Sequence, residues 1–136
     1  MSVEFVDTNV PVYAHDGGAG DKYVKSCKLL SRSIEEQSGA ISIQVLTEFY
    51  HAAIRKLGMK SQEAEEIIAD LGSWTTHRPE HADVIRASRL HRCYKLAWWD
   101  ALILNSAIEL GCRIVWTEDL TDGQRYGPTT VRNPFL

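Results

Sequence analysis

Four acidic residues stand inside or beside apolar segments of this chain. Asp7 ends the stretch VEFV, and Glu48 lies more than one turn into a helix predicted after a second short strand. Asp100 lies near the start of WWDALILNSAIEL, and Asp119 comes shortly after RIVW. Desolvating an unpartnered carboxylate costs several kcal/mol or shifts its pKa, so these positions require a physical explanation.

A divalent cation would explain the four acids together. Mg²⁺ and Mn²⁺ prefer oxygen ligands, and a carboxylate cluster is their usual protein site. Each acid taken alone has another role open to it. Asp7 could cap a helix starting near Asn9, and Asp100 could be a helix-start anion, worth about 0.3–1 kcal/mol. Glu48 could be a solvated helix residue, and Asp119 a turn residue.

The composition is that of an ordinary globular protein. The chain has 136 residues and a net charge of −3, so we expect one domain over residues 1–136 and no general affinity for nucleic acid from bulk charge. Its three cysteines are widely spaced, which argues against a zinc site or a disulfide framework and predicts small core residues in a reducing compartment. Because neither a signal peptide nor an apolar stretch of membrane-spanning length is visible, we expect a cytoplasmic protein.

Short apolar strands alternate with helical patterns along the chain. Ser42 and Ser61 are positioned to cap helices, and Pro79 to open one. Val24 and Ile34, with Cys27 and Leu30 between them, have the spacing of one helix face. The strands are predicted at 3–6, 39–42, 73–77, 113–116 and 129–132, and the helices at 21–37, 43–57, 61–71, 79–94 and 98–110.

This alternation predicts an α/β fold with a parallel sheet covered on both faces. In such sheets ligands bind at the carboxyl ends of the strands. The four acids would therefore meet at one edge of the sheet.

Four motifs in order carry a family resemblance. The stretches FVDTNV, SIQVLTEFY, WWDALI and WTEDLTDGQRY, followed by VRNPFL, resemble the PIN domain, and more narrowly the VapC-type toxins of toxin–antitoxin pairs. The resemblance runs from Val3 to the C-terminus and implies a three-layer α/β/α, Rossmann-like fold with a short central parallel sheet. It assigns the family's acidic metal-site positions to Asp7, Glu48, Asp100 and Asp119, and the small polar positions beside them to Thr8, Asn9 and Thr117. Glu118 and Asp122 are extra acids near that site.

The resemblance implies an endoribonuclease that depends on Mg²⁺ or Mn²⁺. Asp7, Asp100 and Asp119 would contact metal directly or through water. Glu48 would hold a metal-bound water or a second ion and help to orient or deprotonate the attacking water. The resemblance further implies a homodimer and a cognate antitoxin that blocks the toxin.

Basic and aromatic side chains are the candidates for contacting RNA. Trp98 and Trp99 could stack on a base, although a core or interface role fits them better. Tyr23, Phe49 and Tyr50 could form a protein interface. The basic candidates are Arg55, Arg92 and Lys95, together with Lys56, Arg86, Arg89 and Arg125.

Three other functions are compatible with parts of the sequence. A haloacid-dehalogenase-like phosphatase needs a second Asp where this chain has Asn9. A response-receiver domain needs an Asp at the end of the third strand and a late Lys, and neither is found. A catalytically silent PIN-like scaffold or interaction protein would usually lack one of the four acids, and all four are present.

Overall fold

A six-stranded sheet forms the centre of the protein. The computed structural model describes residues 2–136. The strand order is β3-β2-β1-β4-β6-β5, and every neighbouring pair is parallel except β5 and β6. The strands are β1 (Glu4–Val6), β2 (Gly39–Ser42), β3 (Thr75–His77), β4 (Ile114–Trp116), β5 (Arg125–Tyr126) and β6 (Thr129–Arg132).

Six α-helices connect these strands. Ser42 caps the third helix by accepting a hydrogen bond from the Val45 N–H at 3.3 Å, as predicted. Gly111 follows the last helix at φ 72°, a left-handed conformation that suits glycine. The helices are α1 (Asn9–Ala14), α2 (Asp21–Glu35), α3 (Ile43–Arg55), α4 (Ser61–Leu71), α5 (His81–Tyr94) and α6 (Trp98–Glu109).

The sheet is buried on both faces near its centre. Phe5 is paired with Val115, and both pack on α6 through Leu104. The next residue of β1 points to the other face, where Val6 packs against Leu29 of α2 and against α1. This two-sided burial explains why the central strands are short apolar stretches, and it confirms the predicted α/β fold with a central parallel sheet.

The five predicted strands are all present, but β5 was missed. It has only two residues and pairs antiparallel with β6 at the sheet edge. A strand this short, in a loop containing glycine, has no alternating pattern that a sequence can reveal.

The helix predicted at 21–37 is confirmed as α2, and its buried side carries two serines. Val24 and Ile34 are 46% and 62% exposed, whereas Ser26, Leu29 and Ser33 are buried. The Ser33 hydroxyl is satisfied by donating to the Leu29 carbonyl oxygen at 2.9 Å, so burying it leaves no unpaired donor.

One predicted helix cap and one predicted helix start need correction. Lys60 occupies the cap position of α4, and the Ser61 hydroxyl instead lies 2.8 Å from that of Tyr50. Helix α5 begins after Glu80 rather than at Pro79, because Glu80 and Asp83 cap its first turn reciprocally.

The cysteines do not all belong to the core. Cys112 is buried, but Cys27 is partly exposed and Cys93 is exposed. Within residues 2–136, no helix is long and apolar enough to cross a membrane.

Candidate active site

Asp7 is held where β1 ends. Its backbone N–H donates to the Trp116 carbonyl oxygen at 3.0 Å, which places it beside the end of β4. Its carboxylate accepts hydrogen bonds from the Thr8 N–H and the Thr117 hydroxyl, both at 2.7 Å. The side chain is only 4% exposed, and Thr8 rather than Asp7 occupies the N-cap position of α1.

Burial raises the pKa of Asp7 to about 7. The hydrogen bonds from Thr117 and Thr8 oppose this rise, and the negative charges of Asp119 and Glu48 add to it. The carboxylate is therefore poorly solvated and lies among like charges. A cation beside it would favour its ionised form.

The Asn9 side chain links the ends of β1 and β4. Its amide nitrogen lies 3.4 Å from Asp7 Oδ2, 3.3 Å from Thr117 Oγ1 and 3.2 Å from Asp119 Oδ2. The Thr117 hydroxyl oxygen also accepts from the Asp119 N–H at 3.0 Å. These contacts bring the predicted polar positions of the two strand ends into one network.

Asp100 and Asp119 line one open cleft of about 550 Å³. The pKa of each is raised, first by burial and then by neighbouring carboxylates, and Glu48 is one such neighbour for both. Asp100 belongs to the first turn of α6 and Asp119 to the loop after β4. Two acids 19 positions apart in the chain thus meet at the carboxyl edge of the sheet.

Glu48 reaches the same edge from α3. Its Oε1 accepts from the Thr8 hydroxyl at 2.6 Å, and its Oε2 accepts from the Gln44 amide at 3.0 Å. The same amide nitrogen lies 3.2 Å from the carbonyl oxygen of Trp99, the residue before Asp100. Gln44 therefore connects Glu48 to the helix turn that carries Asp100.

Sequence reasoning gave Gln44 no role at the site. Its spacing of four residues from Glu48 on one helix was a usable signal, because such residues face the same side. The contact with Trp99 required the packing of α3 beside α6.

The two extra acids named from the sequence have other partners. Glu118 forms an ion pair with Lys22 at 2.8 Å, although its charge still raises the pKa of Asp119. Asp122 accepts a hydrogen bond from the Asn133 N–H at 2.8 Å, so it orders the C-terminal segment.

The predicted RNA-contacting residues are separated in the structure. Lys95 lines the cleft that contains Asp100 and Asp119. Arg55 and Arg92 are exposed on α3 and α5, and no ion pair is formed by either within the described chain. Trp99 is 63% exposed, whereas Trp98 is partly buried with its ring edge-on to His91.

The donor set fits a divalent cation. Its side-chain ligands would be carboxylate oxygens, which Mg²⁺ and Mn²⁺ prefer. The Oδ1 atom of Asn9 is buried and accepts no hydrogen bond within residues 2–136, so a further oxygen acceptor is available beside the acids. In their present positions, no three Asp, Glu, His or Cys side chains of this range are close enough together to enclose an ion.

A buried polar network lies beside β3, outside this cluster. His77 Nδ1 is 2.8 Å from the Ser106 hydroxyl, and His77 Nε2 is 3.5 Å from Asp83. Ser106 is only 3% exposed, so a substrate has no access to its oxygen. Asp83 also accepts from the amide of Asn105 at 3.1 Å. The arrangement joins β3, α5 and α6 and is not a nucleophilic triad.

Comparison with solved structures gives the same fold. VapC20 of Mycobacterium tuberculosis, a toxin that cleaves the sarcin–ricin loop, has a TM-score of 0.70 at 15% identity over 82% of this chain and 86% of its own. A toxin–antitoxin complex from Klebsiella pneumoniae has a TM-score of 0.69 at 20% identity over 98% of both chains. VapBC2 of Rickettsia felis, bound to promoter DNA, has a TM-score of 0.68 at 18% identity over 96% of this chain and 98% of its own.

Sequence comparison identifies the family. A search of curated proteins finds no match. The sequence profile of the PIN domain, however, matches residues 5–121, a range that contains all four site acids. This range is most of the chain, and it runs from within β1 to beyond β4. The protein therefore belongs to the PIN domain family.

Proposed function

We propose that this protein is a metal-dependent endoribonuclease, the toxin of a toxin–antitoxin pair, with residues 1–136 acting as a single PIN domain in the cytoplasm. The observation that carries the proposal is the convergence of Asp7, Glu48, Asp100 and Asp119 at one sheet edge. Membership of the PIN family and the likeness to VapC structures support it.

The proposed metal ligands are Asp7, Asp100 and Asp119, with Glu48 beside them. A bound Mg²⁺ or Mn²⁺ would lower the pKa of the attacking water and offset charge on the phosphate. Thr117, Asn9 and the Thr8 N–H fix the orientation of Asp7, as partners of metal-binding carboxylates commonly do.

Glu48 is the proposed group that orients the attacking water and accepts its proton. Thr8 donates to one of its carboxylate oxygens and Gln44 to the other, so the side chain has a fixed direction. Each carboxylate oxygen can accept more than one hydrogen bond, which leaves capacity for the water. Phosphodiester hydrolysis by this route needs no side-chain nucleophile.

A cleavage assay tests the proposal. The purified protein, incubated with total cellular RNA and Mg²⁺ or Mn²⁺, should produce defined cleavage ends. Asp7→Asn and Asp100→Asn should each abolish those ends. Asp122→Asn is the matched control, because it removes a nearby acid that lies outside the cluster, and it should retain cleavage. Wild-type cleavage by both site variants would refute the proposal.

A metal titration separates the nuclease from a silent scaffold. Binding to the native state alone stabilises a protein by about 2.7 kcal/mol at a ligand concentration of 100 Kd. We therefore expect Mn²⁺ to raise the melting temperature of the wild-type protein, and to raise that of Asp100→Asn much less. An unchanged melting temperature in the wild type would favour the scaffold.

We also propose a homodimer and an antitoxin partner. Tyr23, Val24 and Ile34 of α2 are 38%, 46% and 62% exposed, which provides apolar area for an interface. Phe49, another predicted interface residue, is fully buried and cannot serve there, and Tyr50 is half-buried. Sedimentation of the purified protein would establish whether it dimerises, and a twofold higher mass is the expected result.

A further inference from the structure

Three arginines line a single cleft on the sheet. Arg113, Arg125 and Arg132 surround an opening of about 310 Å³ together with Ile114 and Thr130. All three arginines are exposed, and none forms an ion pair or a side-chain hydrogen bond to another residue among residues 2–136. The lining residues include no acid, so the positive charge of this cleft is not balanced locally.

Strand register explains why Arg125 and Arg132 meet, and Arg113 immediately precedes β4 beside them. Arg125 of β5 and Ile114 of β4 are both paired with Thr130 of β6. Arg132, two residues after Thr130, points to the same face and is paired with Trp116. On this face Trp116 packs against the apolar cluster that contains Leu29 of α2, so the arginines lie beside that helix.

Helix α2 extends the positive surface. Lys25, Lys28 and Arg32 line a neighbouring cleft with Trp116. Arg32 is partly neutralised by Glu4 at 3.2 Å, and Lys25 donates to a backbone carbonyl oxygen. The three arginines of the first cleft are thus the least balanced part of a basic face on a chain whose net charge is −3.

This basic face adjoins the sheet edge that carries Asp7 and the other site acids. The Thr117 N–H donates to the Arg132 carbonyl oxygen at 3.0 Å, and the Thr117 hydroxyl donates to Asp7. Arg113 and Arg125 lie at the level of the amino end of β4, roughly 10 Å further along the strands at about 3.3 Å per residue. A nucleic acid strand advances about 3.4 Å per nucleotide in a duplex, so a strand with one phosphate at the acids reaches this cleft within roughly three nucleotides.

We infer that the cleft of Arg113, Arg125 and Arg132 binds the phosphate backbone of the RNA substrate, to one side of the scissile bond. The inference rests on the proposed function. Guanidinium groups hold phosphate through paired N–H donors, which suits Arg better than Lys. Contacts to phosphate position a strand without reading its bases, so this contact gives affinity and direction to the strand without sequence preference.

Fluorescence anisotropy in EDTA tests the inference without requiring cleavage. The ligand is a labelled 20-nucleotide single-stranded RNA, and the variants are Arg113→Gln/Arg125→Gln and the control Lys60→Gln/Arg78→Gln. Each single-strand phosphate contact contributes about −0.7 to the slope of log affinity against log salt. Losing two contacts should weaken binding of the long RNA roughly 10- to 30-fold at 0.1 M salt and flatten that slope by about 1.4.

The control variant makes the result specific. Lys60 and Arg78 are exposed elsewhere, so their variant should retain wild-type affinity. Single-stranded DNA should lose affinity as RNA does, because only the backbone is contacted. Wild-type affinity and salt slope in the cleft variant, with its thermal stability unchanged, would overturn the inference.

Two further outcomes separate an RNA-binding cleft from a protein-binding one, and the cleft from the nuclease function. If poly-glutamate binding depends on the arginines and RNA binding does not, the cleft belongs to an acidic protein partner and the inference is wrong. If the wild type binds the long RNA through the arginines but never cuts it with Mg²⁺ or Mn²⁺, the proposed nuclease function fails while the RNA-binding cleft stands.

Discussion

The metal-free protein should lose stability as pH rises from 5 to 8. The cause is Asp7, whose pKa is raised by burial from 3.8 to about 7 in the folded chain. Between these two values the unfolded chain has lost the proton and the folded chain still holds it. The unfolded state therefore binds fewer protons, and the free energy of unfolding falls as pH rises.

The size of the effect follows from the pKa values. A difference from 3.8 to about 7, at about 1.36 kcal/mol for each pH unit, gives about 4 kcal/mol of lost stability once pH exceeds 7. Below pH 3.8 both states hold the proton and the penalty disappears. Asp100 and Asp119 also have raised pKa values, so they add to the loss in the same direction. The free energy of unfolding of a typical domain is only about 5–15 kcal/mol in total, so a loss of this size is measurable.

Urea unfolding at pH 5, 6, 7 and 8 in EDTA is the assay. The wild-type free energy of unfolding should fall across this range, and the fall should be smaller by about 3 kcal/mol in Asp7→Asn, which has no proton to lose. Saturating Mn²⁺ should reduce the wild-type slope, because bound cation favours the ionised carboxylate. Parallel pH profiles for the wild type and Asp7→Asn would refute the reasoning.

Three further changes have expected outcomes. Gln44→Leu should weaken Mn²⁺ binding about 10- to 100-fold, measured by calorimetry, because the Gln44 amide orients Glu48. The control Gln62→Leu, at an exposed position, should bind Mn²⁺ as the wild type does, and equal affinities for both variants would show that Gln44 has no role at the site. Asp83→Asn should lower the melting temperature at pH 7, because a hydrogen bond from the Glu80 N–H lowers the pKa of Asp83. The stability that this bond contributes is present above pH 3.8 and is lost as pH falls further. A difference in melting temperature that does not change with pH would contradict the assignment. Gly39→Ala should destabilise the fold by about 1–3 kcal/mol, because its Cβ would lie 2.4 Å from an indole ring, whereas Gly17→Ala meets open space; equal stabilities would show that the ring moves aside.

The sequence was sufficient for most of the fold. Five strands and the helices from residue 21 onward follow from local apolar periodicity, and caps such as Ser42 act within one turn. The parallel arrangement followed from the alternation of strands and helices. Strand β5 was not predicted, because two residues at the sheet edge carry no pattern. The start of α5 was misplaced, because the reciprocal cap of Glu80 and Asp83 competes with the nearby Pro79 as a start signal.

The acids of the site could also be named in advance. Asp7 is conspicuous because it terminates a buried strand, and the PIN motifs gave the other three positions. The tertiary structure brought Glu48 near Asp7 and Asp119, because residues distant in sequence meet only when strand and helix ends align at one sheet edge. It also separated Asp122 from the cluster by pairing it with the C-terminal segment.

Sequence by itself determined which residues are chemically capable and which elements carry them. The tertiary structure decided which faces are covered, and it leaves Val24 and Ile34 of α2 exposed. It also gave Gln44 two partners on different helices and gathered arginines from β5, β6 and the residue before β4 into one cleft. The physical reason is that local periodicity identifies elements, whereas contacts across elements depend on their packing and register.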